Sequence, residues 1–235
     1  MAKKQFQLNL EEIEWSLLNV QKNFNKINET LLMRREVLAD VILENMLAGY
    51  SYLDFHLEKG ANILSKHELN HLLELNHIVL CGPDPKKRKD YEHHIKVTTE
   101  RFYNQDKCSI GLIRKWAKKH KHDSPWIQAA GVYVMLISQP QLFLEGNHRT
   151  GALLMSHILV RNGFPPFVLT VDNAKAYFDP STLAKQTHKD FLGVYYKLPK
   201  VKRNFATFLE AQANFDFLGQ KKKKSGQGKA GSSKH

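Results

Sequence analysis

The chain has 235 residues, 42% of them apolar and 25% charged, the balance of a soluble globular protein with room for one sizeable core. No run approaches the roughly 18 apolar residues of a membrane span, and the start of the chain leads into an amphipathic segment instead of an apolar signal core, so no membrane location is expected. Of the net charge of +12, six charges come from Lys221 to Lys224, Lys229 and Lys234, which leaves about +6 elsewhere and argues against a dedicated nucleic-acid binder. Cys81 and Cys108 show neither disulfide-framework nor metal spacing, so a reducing cytoplasm is the expected location.

Leu10, Ile13, Leu17, Val20, Phe24 and Ile27 recur at helical spacing, with Asn9 as N-cap and Glu11 and Glu12 in the first turn. A second helix is expected from about 28 to 48 on Leu31, Leu38, Val41 and Ile42, with the break near 26–28 making a helical hairpin. Gly82-Pro83-Asp84-Pro85 is a turn. Further helices are predicted at 66–80, 108–121, 125–139, 149–161, 181–196 and 202–215. Ser124-Pro125 opens one of them and Asn162-Gly163 closes another. The strand candidates are 95–98 and 167–171. The Lys/Gly/Ser-rich stretch 217–235 reads as a disordered basic tail. The class is mainly α, with an N-terminal helical extension over 1–38 and the main domain over 39–216.

The most informative stretch is 141–152, Gln-Leu-Phe-Leu-Glu-Gly-Asn-His-Arg-Thr-Gly-Ala, between two predicted helices. Gly146 and Asn147 suit the positive φ of a tight loop. The helix after them aims free backbone N–H groups into that loop, which makes an anion site. Arg149 adds a planar cation for phosphate oxygens. Glu145 is a hard oxygen ligand for Mg²⁺ already bridging phosphates, and Gly151 and Ala152 permit close approach. A plain helix cap with a surface Glu–Arg pair is the alternative.

Phe143, Glu145, Gly146, Asn147 and Arg149 resemble the Fic family motif His-x-Phe-x-(Asp/Glu)-Gly-Asn-Gly-Arg-x-x-Arg. Asn162-Gly163-Phe164-Pro165-Pro166 is similar to the segment that follows that motif, and residues from Asp172 to Tyr177 and Phe178 to the region that holds the nucleotide base. The resemblance spans roughly 39–212. It implies a Fic-like helical domain, in which a short β-hairpin flap can occur. It also implies ATP or another nucleotide bound at Gly146, Asn147, Arg149 and Gly151, Mg²⁺ on Glu145, and transfer of AMP to a hydroxyl of a protein target.

Three positions depart from the motif. Gln141 stands where the family has its His, and a carboxamide cannot serve as a general base. His148 replaces a Gly; in the related Doc toxins a Lys stands there and a terminal phosphate is transferred. Gln141 and His148 are therefore the candidate catalytic residues, Gln141 to orient a hydroxyl or water and His148 as base or phosphate ligand. Ala152 replaces the Arg that grips the terminal phosphate. Residues 40–45 resemble the family's inhibitory helix (candidate span 39–48), with Glu44 and Asn45 in its signature. A catalytically degenerate binding or regulatory module is the alternative function, and homo-oligomer formation stays open. Separately, His67-Glu68-Leu69-Asn70-His71 is a literal H-E-x-x-H, with His77 beyond it. On a continuous helix His67 and His71 would share a face and bind zinc, a hydrolase reading ranked third.

Overall fold

The computed structural model describes residues 7–104, 110–190 and 197–219. Among these, ten helices follow in chain order: α1 (Leu10–Thr30), α2 (Asp40–Glu58), α3 (Leu69–Cys81), α4 (Pro85–Asp90), α5 (Glu92–Tyr103), α6 (Ile110–Lys119), α7 (Pro125–Ile137), α8 (Asn147–Arg161), α9 (Ala174–Gln186) and α10 (Leu198–Ala211). The chain is mainly α, and no described helix is long and apolar enough to cross a membrane.

The stripe read on α1 is the buried one: Ile13, Leu17, Val20, Phe24 and Ile27 all face the interior. Asn9 caps the helix by accepting the Glu12 N–H at 3.4 Å. The expected break at 26–28 is absent. α1 runs to Thr30 and α2 starts only at Asp40, so 28–48 is not one helix. The cause is Asn28, whose amide donates to Arg35 O at 2.8 Å and accepts Arg35 N–H at 2.7 Å. These bonds hold residues 31–39 as a strap between the helices. Arg35 ties the strap onward to α9, donating to Thr182 Oγ1 at 2.7 Å and Phe178 O at 3.2 Å.

α7 and α8 form the centre. Ser124 accepts the Ile127 N–H at 3.3 Å with Pro125 in the first turn, as read from sequence. Every residue of α8 from Thr150 to Val160 is buried. Gly151 permits the close packing: a Cβ there would lie 2.6 Å from the Tyr133 ring of α7. The last two helices begin earlier than expected. α9 starts at Ala174 and passes through Pro180, and α10 runs from Leu198 to Ala211. Of the predicted 181–196 segment, 191–196 lies outside the described residues, as do Cys108 and the tail 220–235.

Neither strand candidate pairs. Residues 95–98 lie within α5. The 167–171 stretch is extended but is tied by side chains: Phe167 O accepts the hydroxyls of Tyr50 at 2.7 Å and Ser156 at 2.8 Å. Among the described residues the only sheet pairs Gln7–Leu8 antiparallel to Leu218–Gly219, so it is not a hairpin flap. Residues 217–219, assigned to the tail, are ordered here, with Phe217 buried.

Candidate anion-binding site

The loop before α8 is built from the inside. Phe143 is 1% exposed and stacks on Phe102 of α5 with centroids 5.6 Å apart. Asn147, the first residue of α8, turns its side chain back onto Phe143. Its Oδ1 accepts the Phe143 N–H and its Nδ2 donates to the Phe143 carbonyl, both at 2.9 Å. Asn76 of α3 donates to Glu145 O and to Thr150 Oγ1, each at 3.0 Å. Arg101 of α5 donates to the carbonyls of Gln141 at 2.7 Å and Leu142 at 3.3 Å. Gly146 takes the left-handed conformation, φ 72°, and a Cβ would meet Asn76 Nδ2 at 2.9 Å. Asn147 does not share that conformation; it is already helical.

No side chain caps α8. The first intrahelical bond there is Thr150 N to Gly146 O at 2.9 Å, so the N–H groups of Asn147, His148 and Arg149 have no helical acceptor. They open on a cavity of about 470 Å³, within the range of small-ligand sites. Its rim carries Arg34, Arg35, Arg149 and Lys185 against a single acid, Glu36. Arg149 donates to Val79 O at 2.8 Å, which fixes its guanidinium. Burial lowers its pKa while Glu145 and Glu36 oppose the shift, and an arginine remains cationic throughout. Helix dipole and cations together favour an anion here.

His148 lines the same cavity. Burial first, then the charges of Arg35 and Lys185, push its pKa down to about 3, so the ring is neutral at pH 7. Its Nδ1 lies 3.0 Å from the Tyr133 hydroxyl, and its Nε2 is buried without a partner. Counting protons assigns the tautomer. Tyr177 donates its hydroxyl to His148 O, and Ser181 donates to Tyr177 O. The Tyr133 proton then goes to one of their oxygens, at 3.0 or 2.8 Å. Tyr133 is left to accept from His148 Nδ1–H, so Nε2 carries a lone pair.

The other predicted residues divide. Gln141 does not line the cavity. Its amide donates to Ile137 O at 3.0 Å and its carbonyl accepts from Asn147 at 3.4 Å, so it braces the loop. Glu145 is exposed at the loop edge beside Arg149 and is also not among the lining residues. As one carboxylate it fits a metal only where phosphates supply further ligands. Gly151 packs against Tyr133 and does not face the cavity, while Ala152 lines it. Asn45 is buried and donates to Val79 O at 3.4 Å, the carbonyl that also holds Arg149. Glu44 is exposed on α2, and no bond between it and Arg149 occurs among the described residues.

The H-E-x-x-H stretch loses its geometry. α3 begins at Leu69, so His67 and His71 do not share a helix face. Glu68 turns back instead to accept from Asn62 N at 2.7 Å and Ser65 Oγ at 3.1 Å. His71 Nδ1 lies 2.7 Å from the Tyr52 hydroxyl. Among the described residues no three His, Cys, Asp or Glu side chains form a metal-holding group.

Sequence reasoning missed Arg34 and Arg35. Both fell unremarked within the helix expected over 28–48, whereas the strap brings them to the cavity at the start of α8. The Arg-Arg pair interrupting the second apolar run between Leu31 and Leu38 was the available signal.

The elements together define a helical domain with an uncapped helix N-terminus behind a buried phenylalanine anchor. No family model and no curated protein matches the chain. Among solved structures it is similar to two of Fic-1 from C. elegans, a member of the family that the motif resembles. One, a point-substituted form, is 20% identical with a TM-score of 0.49, covering 86% of this chain and 58% of that one. The other is 18% identical with a TM-score of 0.44, covering 86% and 61%. The chain therefore spans about three fifths of the length of each of these two structures.

Proposed function

We propose that this chain is a Fic-like module that binds a nucleotide or related phosphate at the start of α8. The observation that carries this reading is the uncapped N-terminus of α8 opening on a cavity rimmed by Arg34, Arg35, Arg149 and Lys185. In this reading the N–H groups of residues 147–149 take phosphate oxygens, and Arg149 and Arg35 balance the charge. The apolar wall of Leu169, Phe167 and Phe178 receives the base. Mg²⁺, when the phosphates bring it, is held on one side by Glu145.

A second reading, transfer of AMP or phosphate to a protein hydroxyl, draws on His148. Its neutral ring carries an Nε2 lone pair that can accept a hydroxyl proton while the oxygen attacks phosphorus, with pyrophosphate leaving in AMP transfer and the nucleoside diphosphate leaving in phosphate transfer. A pKa of about 3 puts the ring in the correct protonation state with little driving force, so turnover is expected to be slow. Gln141 is already committed to Ile137 and Asn147. Binding without rapid transfer is the better-supported function.

The test uses ATP labelled separately at its α and γ phosphates, with calorimetry on the same samples. Binding that weakens in Arg149→Ala, with no label incorporated, supports the module. Label that appears in protein and vanishes in His148→Ala moves the assignment to transfer, and its position identifies the group. No measurable affinity for ATP, ADP or AMP, with or without Mg²⁺, rejects both readings.

A further inference from the structure

A second, larger cavity of about 670 Å³ lies at the other end of α8. Five cations line it: Arg114, Lys115, Lys118 and Lys121 from α6 and the turn after it, and Arg161 from α8. The first four recur at helical spacing on one side of α6, while Ile110 and Ile113 turn into the core. A basic stripe on one helix is ordinarily a solvated face. Three observations separate this one from that case.

The stripe walls a hollow as well as facing solvent, and no carboxylate lines that hollow. Five like charges around one space repel one another, and an anion in their midst relieves that repulsion. Both guanidiniums are held in place: Arg114 Nε donates to Leu64 O at 3.0 Å, and Arg161 donates to Gly60 O at 3.3 Å and to Ala61 O. The third observation is His157, a cavity-lining residue only 1% exposed. Its Nε2 accepts the Ile63 N–H at 3.3 Å. Burial pushes its pKa down to about 3, so the ring is neutral and its single proton sits on Nδ1. That Nδ1–H is buried and has no acceptor, a costly state in an interior.

We propose that this cavity is a second anion site, taking a multiply phosphorylated small molecule whose oxygens meet Lys115, Lys118, Lys121 and Arg161, with the orphaned His157 ring in the wall beside it. Val132, Ile158 and Leu64 supply an apolar wall for the rest of such a ligand. The site is separate from the start of α8 and stands whether or not a nucleotide binds there.

Calorimetry with sodium tripolyphosphate on the full chain tests it, in an Arg149→Ala background that weakens the first site in both arms. The decisive variant is Lys115→Ala/Lys118→Ala/Lys121→Ala, because these side chains are exposed and their removal leaves the core intact. The expected result is affinity lower by about tenfold or more, a flatter salt dependence and an unchanged melting temperature. In the parent, the ¹⁵N-imidazole resonances of His157 shift on titration at neutral pH; in the triple variant they stay still. Lys118→Glu alone weakens binding in the same direction. Equal affinity in parent and triple variant, absence of binding to the parent, or His157 resonances unmoved at saturation each overturns the proposal. So does a short RNA that binds this face and is not displaced by tripolyphosphate.

Discussion

Replacing Asn147 with alanine isolates what holds the loop in shape. The substitution removes two bonds of 2.9 Å to the Phe143 backbone and a longer one of 3.4 Å to Gln141. Phe143 is 1% exposed, so water cannot reach the abandoned N–H and carbonyl. A net hydrogen bond contributes about 1 kcal/mol, and a buried group left unsatisfied costs about 1–3 kcal/mol, which together give a loss of about 2–4 kcal/mol. For a chain of this size each kcal/mol moves the melting point by about 2–4 °C, so a drop of about 5–15 °C is expected by calorimetry. Urea unfolding gives the same loss with an unchanged slope. Asn147→Asp keeps the acceptor for Phe143 N–H and loses the donor, so its melting point lies between parent and Ala variant. A melting point for Asn147→Ala within about 2 °C of the parent would refute the argument, since the loop would then be held by Phe143 and Asn76 without it.

Gly151→Ala forces a Cβ to within 2.6 Å of the Tyr133 ring; about 1–3 kcal/mol of stability is lost, and a change in Tyr ultraviolet absorption reports the displaced ring. Stability also falls with acid. His148 and His157 have folded pKa values near 3 against an ordinary 6.5, so the unfolded chain binds more protons between those limits. Their stabilisation is complete above pH 6.5 and declines as pH falls, by about 1.4 kcal/mol per pH unit for each ring. Denaturant midpoints from pH 7 to pH 4.5 measure this, and His157→Gln makes the slope shallower; an unaltered slope rejects the burial argument. Arg35→Ala removes the strap's bonds to Thr182 and Phe178, and raised protease cleavage within residues 31–39 is its expected signature.

The chain-order reading succeeded where local chemistry decides. Asn9, Ser124-Pro125 and the α1 stripe act within one turn or along one helix face, and their outcomes followed. The turn before α8 was legible for the same reason, since Gly146 answers a local demand for positive φ. Failures cluster where distant partners decide. Residues 95–98 have β-branched character, yet α5 forms because Thr98 and Phe102, four apart, are buried together and Phe102 stacks on Phe143. The end of α1 depends on Asn28 gripping Arg35, and nothing local marks Asn28 as an anchor. At the site, Asn147 and Gly151 were read as cofactor ligands. The side chain of the first bonds the Phe143 backbone and the bare Cα of the second packs on Tyr133, so both serve the scaffold.

The short pairing of Gln7–Leu8 with Leu218–Gly219 has a consequence for the order of assembly. The neighbouring bond from Asn9 to Asp216 closes a loop of 207 residues. Closing such a loop in an unfolded chain costs roughly 5 kcal/mol of entropy, more than so short a ladder returns. The two strands can therefore meet only after the helices between them have packed and shortened the path. The pairing is a late seal on a finished bundle, and its amides should be among the first to exchange when the native state begins to open.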